Sequence, residues 1–291
     1  MLSWPTNNNR IERKQLAATW RSMVTIYQDY DDEPEDVFQP LPEQLASSFY
    51  ALEMDGYTAD MSFFKPRLPK QGAILELGCG TGRIARRLAG ENCPDRLVVG
   101  IDISLPMLQL AMQANHFCAD KLRYICMDMA RLAFLIDFAA ILIPYNSLNL
   151  LGSEAQIMQC LDRCRHFLQP GGKLLAQLFA PSKEFIRQQK TFQFQLFDRP
   201  EGGKLIKEIW KHYIPQTQSV QIEERFRVRP MQAGKANEDW HSIYTVAGFS
   251  ADRWLALFSK AGFARVDIFG DYSGGCYDKA TSSTLLAVAT L

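Results

Sequence analysis

Residues 73–89 read AILELGCGTGRIARRLA. An apolar strand runs into a turn with glycines at 78, 80 and 82, and the turn opens a helix. Glycines in that arrangement let the backbone approach a ligand closely and present helix N-terminal N–H groups to an anionic moiety. The stretch predicts a ligand site at the carboxyl end of a strand in an α/β fold.

The same rhythm continues downstream. RLVVGI, KLRYICM, FAAILI and GKLLAQLF read as strands, and SLPMLQLAMQAN and SEAQIMQCLDRCRHFL read as the helices between them. Such alternation implies a mostly parallel sheet with helices on both faces. Ser104 and Ser153 stand as N-caps, and Gln156 completes a capping box with Ser153. The second helix would bury Ile157, Leu161, Cys164 and Leu168 and stop at Pro170-Gly171-Gly172.

After Phe179 the pattern changes. KLIKEIWKHYI, QSVQIEERFRVRP and HSIYTV alternate within residues 191–247, which predicts an antiparallel insertion of three or four strands. SADRWLALFSKAGF is then a helix capped by Ser250 and closed by Gly262. The loop between the last two strands, ARVDIFG and SSTLLAVATL, is too short for a crossover helix, so they pair antiparallel. The expected organisation is an N-terminal helical cap or lid over 1–69, a core over 70–180 and 248–291, and the insertion over 181–247.

The 291 residues suffice for one large domain with an insertion. Basic and acidic residues number 32 each, and no basic block resembles a nucleic-acid footprint, which turns the reading away from a polyanionic partner. Seven scattered cysteines, mostly inside apolar runs, suggest a reducing compartment. No apolar leader or run of 18 apolar residues is seen, so a soluble cytoplasmic protein without a membrane partner is expected.

Two ligand classes fit the glycine turn. Gly80-Thr81-Gly82-Arg83-Ile84-Ala85 satisfies the dinucleotide pattern G-x-G-x-x-G/A, with Asp102 about 20 residues on, which keeps a nicotinamide-dependent oxidoreductase open. That fingerprint normally places its first glycine directly after the strand, where Gly78 stands, and from Gly78 the third position falls on Arg83. The segment Glu76-x-Gly78-x-Gly80-x-Gly82 instead resembles the first motif of class I S-adenosylmethionine-dependent methyltransferases. The resemblance runs over roughly residues 55–291 and includes the antiparallel final strand. It implies a Rossmann-like, mostly parallel seven-stranded sheet and S-adenosylmethionine as cofactor.

By that resemblance, Glu76, Gly78, Cys79, Gly80, Thr81 and Gly82 form the cofactor loop, and Asp102 takes the ribose hydroxyls with Ile103 and Met107 beside it. Asp128 and Met129 take the adenine, and Ile143, Pro144 and Tyr57 border the methyl group. The segment after the fourth strand, Ile143-Pro144-Tyr145-Asn146, departs from the (D/N)-P-P-(Y/F) of enzymes that methylate nucleobase or glutamine amides. It is closer to small-molecule methyltransferases with an antiparallel insertion, such as those acting on glycine, sarcosine or amino sugars. YTADMSFF at 57–64 and FGDYSGG at 269–275 share that likeness. The acceptor is therefore expected to be a small molecule.

Methyl transfer is an in-line displacement from a sulfonium carbon. Positioning can supply roughly 7–11 kcal/mol, whereas a general base adds about 3–5, so the lack of an obvious base does not argue against an enzyme. The residues placed nearest the chemistry are Tyr145, His241 in the insertion and Tyr30 in the cap. His116 and His166 read as surface or helix-end residues, and Tyr27, Tyr30, Tyr50 and Tyr57 as packing or a water-excluding lid. Cys160 and Cys164 share a helix face without a second ligand pair, which favours core packing over metal binding. A non-catalytic ligand-binding relative of the fold is the third reading.

Overall fold

In the computed structural model the described residues are 38–291, except 92, 94, 115–119, 233 and 283. The strands are β1 (Gln39–Pro40), β2 (Gly72–Leu77), β3 (Arg96–Asp102), β4 (Leu122–Cys126), β5 (Phe138–Ile143), β6 (Leu168–Leu178), β7 (Lys190–Asp198), β8 (Lys204–Ile214), β9 (Ser219–Arg229), β10 (Glu238–Ala247), β11 (Arg265–Phe269) and β12 (Leu285–Thr290). The helices are α1 (Glu43–Met54), α2 (Met61–Phe64), α3 (Arg83–Ala89), α4 (Leu105–Gln113), α5 (Glu154–Phe167), α6 (Lys183–Gln188) and α7 (Ala251–Lys260).

A seven-stranded sheet runs in the order β11-β12-β6-β5-β2-β3-β4. The pairs from β4 through β6 are parallel, and β12 enters antiparallel between β6 and β11. Its central strands are continuous apolar runs because both faces are covered. On one face Leu75, Ile141 and Ile143 pack with α5 and α7 through Ile157, Leu161, Trp254 and Phe258. On the other, Ile74, Val98 and Leu142 meet α3 through Ile84 and Leu88, with Phe63 and Phe64 of α2.

The caps form as the side chains demand. Ser104 accepts from the Met107 N–H, Ser250 from that of Arg253, and Ser153 from that of Gln156 while also bonding the Gln156 side chain. Helix α5 buries Ile157, Leu161, Cys160 and Cys164 completely. It ends at Phe167, before the expected stop, and β6 already begins at Leu168. The Pro170-Gly171-Gly172 segment lies inside β6, with Gly171 at φ +78° and a register shift opposite Phe138 and Ala140. A proline without N–H and a left-handed glycine are tolerated there because a bulge releases those residues from the ladder.

The second sheet has the order β1-β10-β9-β8-β7, and β7 to β10 pair antiparallel in one meander. Strand alternation sends Leu205, Lys207, Ile209, Lys211 and Tyr213 to one face of β8, opposite Val228, Phe226, Glu224, Ile222 and Val220 of β9. Helix α1 covers part of this face, where Phe49, Leu45 and Leu52 pack on Leu205, Phe226 and Val228. Asn149 ties the two sheets together by donating to Phe179 O and Ala247 O and accepting from the Phe179 N–H.

Candidate functional site

The glycine turn after β2 has left-handed backbone at all three glycines. At Gly78 a Cβ would stand 2.7 Å from Ser147 Oγ, at Gly80 3.2 Å from the Tyr50 ring, and at Gly82 2.0 Å from Tyr124 Oη. Each glycine therefore admits a different neighbour: the segment after β5, helix α1, and β4. Thr81 and Cys79 are buried beside them.

Glu76, the penultimate residue of β2, is almost fully buried. Its carboxyl accepts from the Ala85 N–H, but Oε2 has no hydrogen-bond partner. Burial pushes its pKa up to about 8, against the opposing pull of Arg83. Arg83 itself is held by Asp60 in a two-pronged pair at 2.8 and 2.5 Å and donates to Tyr57 O. Its charge is thus committed to Asp60, so burial is left to favour the neutral form of Glu76, and Oε2 is without a hydrogen-bond partner.

Asp102 closes β3 as expected of a strand-end acid. Oδ2 accepts from the Gly80 N–H at 2.8 Å and Oδ1 from the Ser104 N–H at 2.9 Å, so the carboxylate couples the glycine turn to the start of α4. Each oxygen keeps a free lone pair. Asp128 caps the 3₁₀ turn Met129–Arg131 by accepting from the Ala130 N–H. The Met129 methyl reaches within 3.5 Å of the space at Gly78, whereas Ile103 is largely exposed and Met107 half-buried.

The segment after β5 carries two non-glycine residues with left-handed backbone, Tyr145 at φ 50° and Asn146 at φ 63°. Strain of that kind costs of order 1–3 kcal/mol per residue and persists only where the surroundings impose it. Here the Asn146 N–H donates to Gln177 O, and Ser147 donates its hydroxyl to Pro144 O. Tyr145 thereby projects among aromatic rings: Tyr50 and Tyr57 each meet it edge-on at 6.4 Å, and Tyr272 meets Tyr57 at the same distance. Burial pushes its pKa up to about 12, with Glu53 adding to the effect. Tyr50 is raised further, again by burial first.

Beyond these rings lies a buried charged group. Lys207 on β8 bonds Glu53 of α1 at 2.7 Å and Glu224 of β9 at 2.9 Å. Burial alone would lower the Lys207 pKa, but Glu224 and Glu53 outweigh it and hold it above the ordinary lysine value. Tyr244 of β10 bonds Glu224, and Lys211 on the same face is lowered chiefly by burial. Gln195, in register with Lys207 on β7, has an unpartnered Oε1.

The structure thus gathers Glu76, Gly78–Gly82, Asp102, Met129, Tyr50, Tyr57 and Tyr145 at one end of the parallel sheet. His241 is not among them. Trp240 packs with the cluster under α1, so alternation places His241 on the opposite face of β10, where Arg225 is its cross-strand partner. Tyr30, Tyr27 and His116 lie outside the described residues. Glu53, Tyr50, Lys207, Glu224 and Tyr244 were not singled out as site residues in the sequence, except for Tyr50 as a lid ring. The available signal was parity: Lys207 and Lys211 share their alternation phase with Leu205, Ile209 and Tyr213.

Comparison with known proteins bears on the fold that carries this arrangement. Residues 74–172 match the family model of a methyltransferase domain. A protein of Geobacillus sp. (strain WCH70), provisionally named a methyltransferase, is 29% identical over 234 residues, covering 78% of this chain and 89% of its own. A sugar N-methyltransferase from Streptoalloteichus sp. ATCC 53650 superposes with a TM-score of 0.66 at 15% identity, over 89% of this chain and 98% of its own. An S-adenosylmethionine-dependent methyltransferase from Clostridium acetobutylicum ATCC 824 gives a TM-score of 0.62 at 16% identity, over 96% and 98%. Residues 74–172 are thus similar to a methyltransferase domain, and the chain has the fold of class I S-adenosylmethionine-dependent methyltransferases.

Proposed function

We propose that the protein transfers a methyl group from S-adenosylmethionine to a small-molecule acceptor held between the Tyr145 segment and the covered face of the antiparallel sheet. The observation that carries this reading is Glu76, a buried acid with an unpartnered oxygen beneath a glycine turn. An ammonium group is the donor such an oxygen lacks, and the methionine end of the cofactor provides one. Asp102 would accept the two ribose hydroxyls with the lone pairs left by Gly80 and Ser104. Asp128 and Met129 would border the adenine, and Pro144 and Ile143 the methyl end. The bound cofactor supplies an electrophilic methyl on a sulfonium.

This chain's own contribution is positioning. Tyr50, Tyr57 and Tyr145 form an apolar collar that excludes water, with ring faces suited to a cation. Glu53, Glu224 and Tyr244 offer polar contacts for the acceptor beyond it, and Lys207 bridges the two carboxylates. The likeness in fold to a sugar N-methyltransferase supports a small acceptor.

A thermal-shift comparison tests the reading against the nicotinamide alternative. S-adenosylmethionine or its demethylated product at 100 times Kd should add about 2.7 kcal/mol of stability, while NAD and NADP should add none. The reverse pattern would replace this proposal with an oxidoreductase. Stabilisation by the cofactor without any S-adenosylhomocysteine formation from small-molecule extracts would leave a binding protein of the same fold.

A further inference from the structure

The antiparallel sheet has two edges, and they are treated differently. Next to β10 the edge is formed by the two-residue strand β1, which contains Pro40 and so cannot extend the ladder. The other edge is β7, nine residues of KTFQFQLFD with no proline, glycine or bulge, paired only with β8 among the described residues. On its outward face Phe192, Phe194 and Leu196 are each 53% exposed. A long, regular, apolar edge of this kind is a template for another strand.

The order of residues along β7 says which strand. Reversed and laid beside itself about Phe194, the strand is complementary to its own sequence. Lys190 falls opposite Asp198, Phe192 opposite Leu196, Gln193 opposite Gln195, and Phe194 opposite Phe194. Cationic and anionic ends meet, the exposed apolar residues meet apolar, and amides meet amides, while Thr191 falls opposite Phe197. Directly opposed pairs of these kinds stabilise an antiparallel ladder, whereas like charges in those positions oppose it. Asp198 bonds Lys204 of its own chain through Oδ1, which leaves Oδ2 for a second cation. Shifting the register by two residues along the strand would lose the terminal ion pairs and set Phe192 or Leu196 against a polar end.

We infer that the protein associates with a second copy of itself through β7, two strands pairing antiparallel about a two-fold axis at Phe194. The contact is isologous and self-limiting, because each copy has one such edge, and it joins two five-stranded sheets into one of ten. Six apolar side chains, three from each copy, cluster on one face of the junction. This is independent of the cofactor and acceptor assignments.

The test is the mass of the full chain in solution, by sedimentation equilibrium over a concentration series. The wild type is expected to be a dimer. Phe194→Lys and Phe194→Glu should each be monomeric, since each sets like charges face to face at the axis, and an equimolar mixture of the two should recover the dimer. If the Phe194 variants fail to fold, Lys190→Asp and Asp198→Lys give the same test: each alone weakens association, and the two together restore it. A monomeric wild type would overturn the proposal, as would folded single variants that keep the dimer mass or a mixture that stays monomeric.

Discussion

The two sheets of this protein solve opposite problems. In the parallel sheet, β2 and β5 are buried on both faces, and nearly every side chain they carry is apolar. In the antiparallel sheet one face is covered by α1 while the other meets solvent, and charges appear on the covered face as well as the open one. Among the exceptions are Glu76 in β2 of the first sheet and Lys207 and Glu224 on the covered face of the second. Glu76 acts electrostatically on Tyr50 and Lys207 on Tyr145, and Lys207 in turn bonds Glu224. In the proposed reading the parallel sheet would fix the cofactor end, and the half-covered antiparallel one would supply the acceptor wall.

The largest expected effect lies in the second sheet. Lys207→Met leaves Glu53 and Glu224 buried without their cation and should destabilise the chain by about 3–5 kcal/mol in urea titration. A loss below about 1 kcal/mol would show that water already reaches both carboxylates and that the face is open. The corresponding change in the first sheet is Gly82→Ala. Its Cβ meets Tyr124 Oη at 2.0 Å on a left-handed backbone, and a loss of roughly 2–4 kcal/mol together with loss of cofactor-dependent stabilisation is expected.

Glu76→Gln separates the two kinds of buried charge through pH. Below about pH 4.5 the Glu76 carboxyl is protonated in both folded and unfolded chains and contributes no pH dependence. Between there and about pH 8 the unfolded chain releases the proton and the folded chain retains it, so stability falls as pH rises. The slope from this one group is at most roughly 1.4 kcal/mol per pH unit. Melting curves of Glu76→Gln should lack that component, and an unchanged slope would mean that Glu76 is ionised in the fold. Lys207 gives no such signal near neutrality because its partners hold its pKa above the usual lysine value. The smallest effect is reserved for His241→Ala, which lies on the open face and should leave cofactor binding and turnover unaltered within error.

Much of this was legible in the sequence for physical reasons. Continuous apolar runs identify strands buried on two faces, and Ser104, Ser153 and Ser250 announce their helices because a side-chain oxygen before a helix has one obvious donor. The glycine turn after a strand was legible, but the reason for each glycine was not, since Ser147, Tyr50 and Tyr124 arrive from distant parts of the chain. His241 illustrates the limit of reading a strand without its partner: it was expected near the acceptor, and the face it occupies depends on where α1 packs. The left-handed Tyr145 and Asn146 were likewise hidden, because nothing in IPYNS demands that geometry until Gln177 and the lid rings impose it.

The central claim is that Glu76 waits, protonated, for the cationic amino group of the cofactor. Titration calorimetry of S-adenosylhomocysteine at pH 7, repeated in buffers of different ionisation enthalpy, measures the protons exchanged on binding. With a Glu76 pKa of about 8, the wild type should release roughly 0.9 proton on binding, and Glu76→Gln should bind more weakly with none released. Absence of binding to the wild type, or equal proton release from both proteins, would contradict the account.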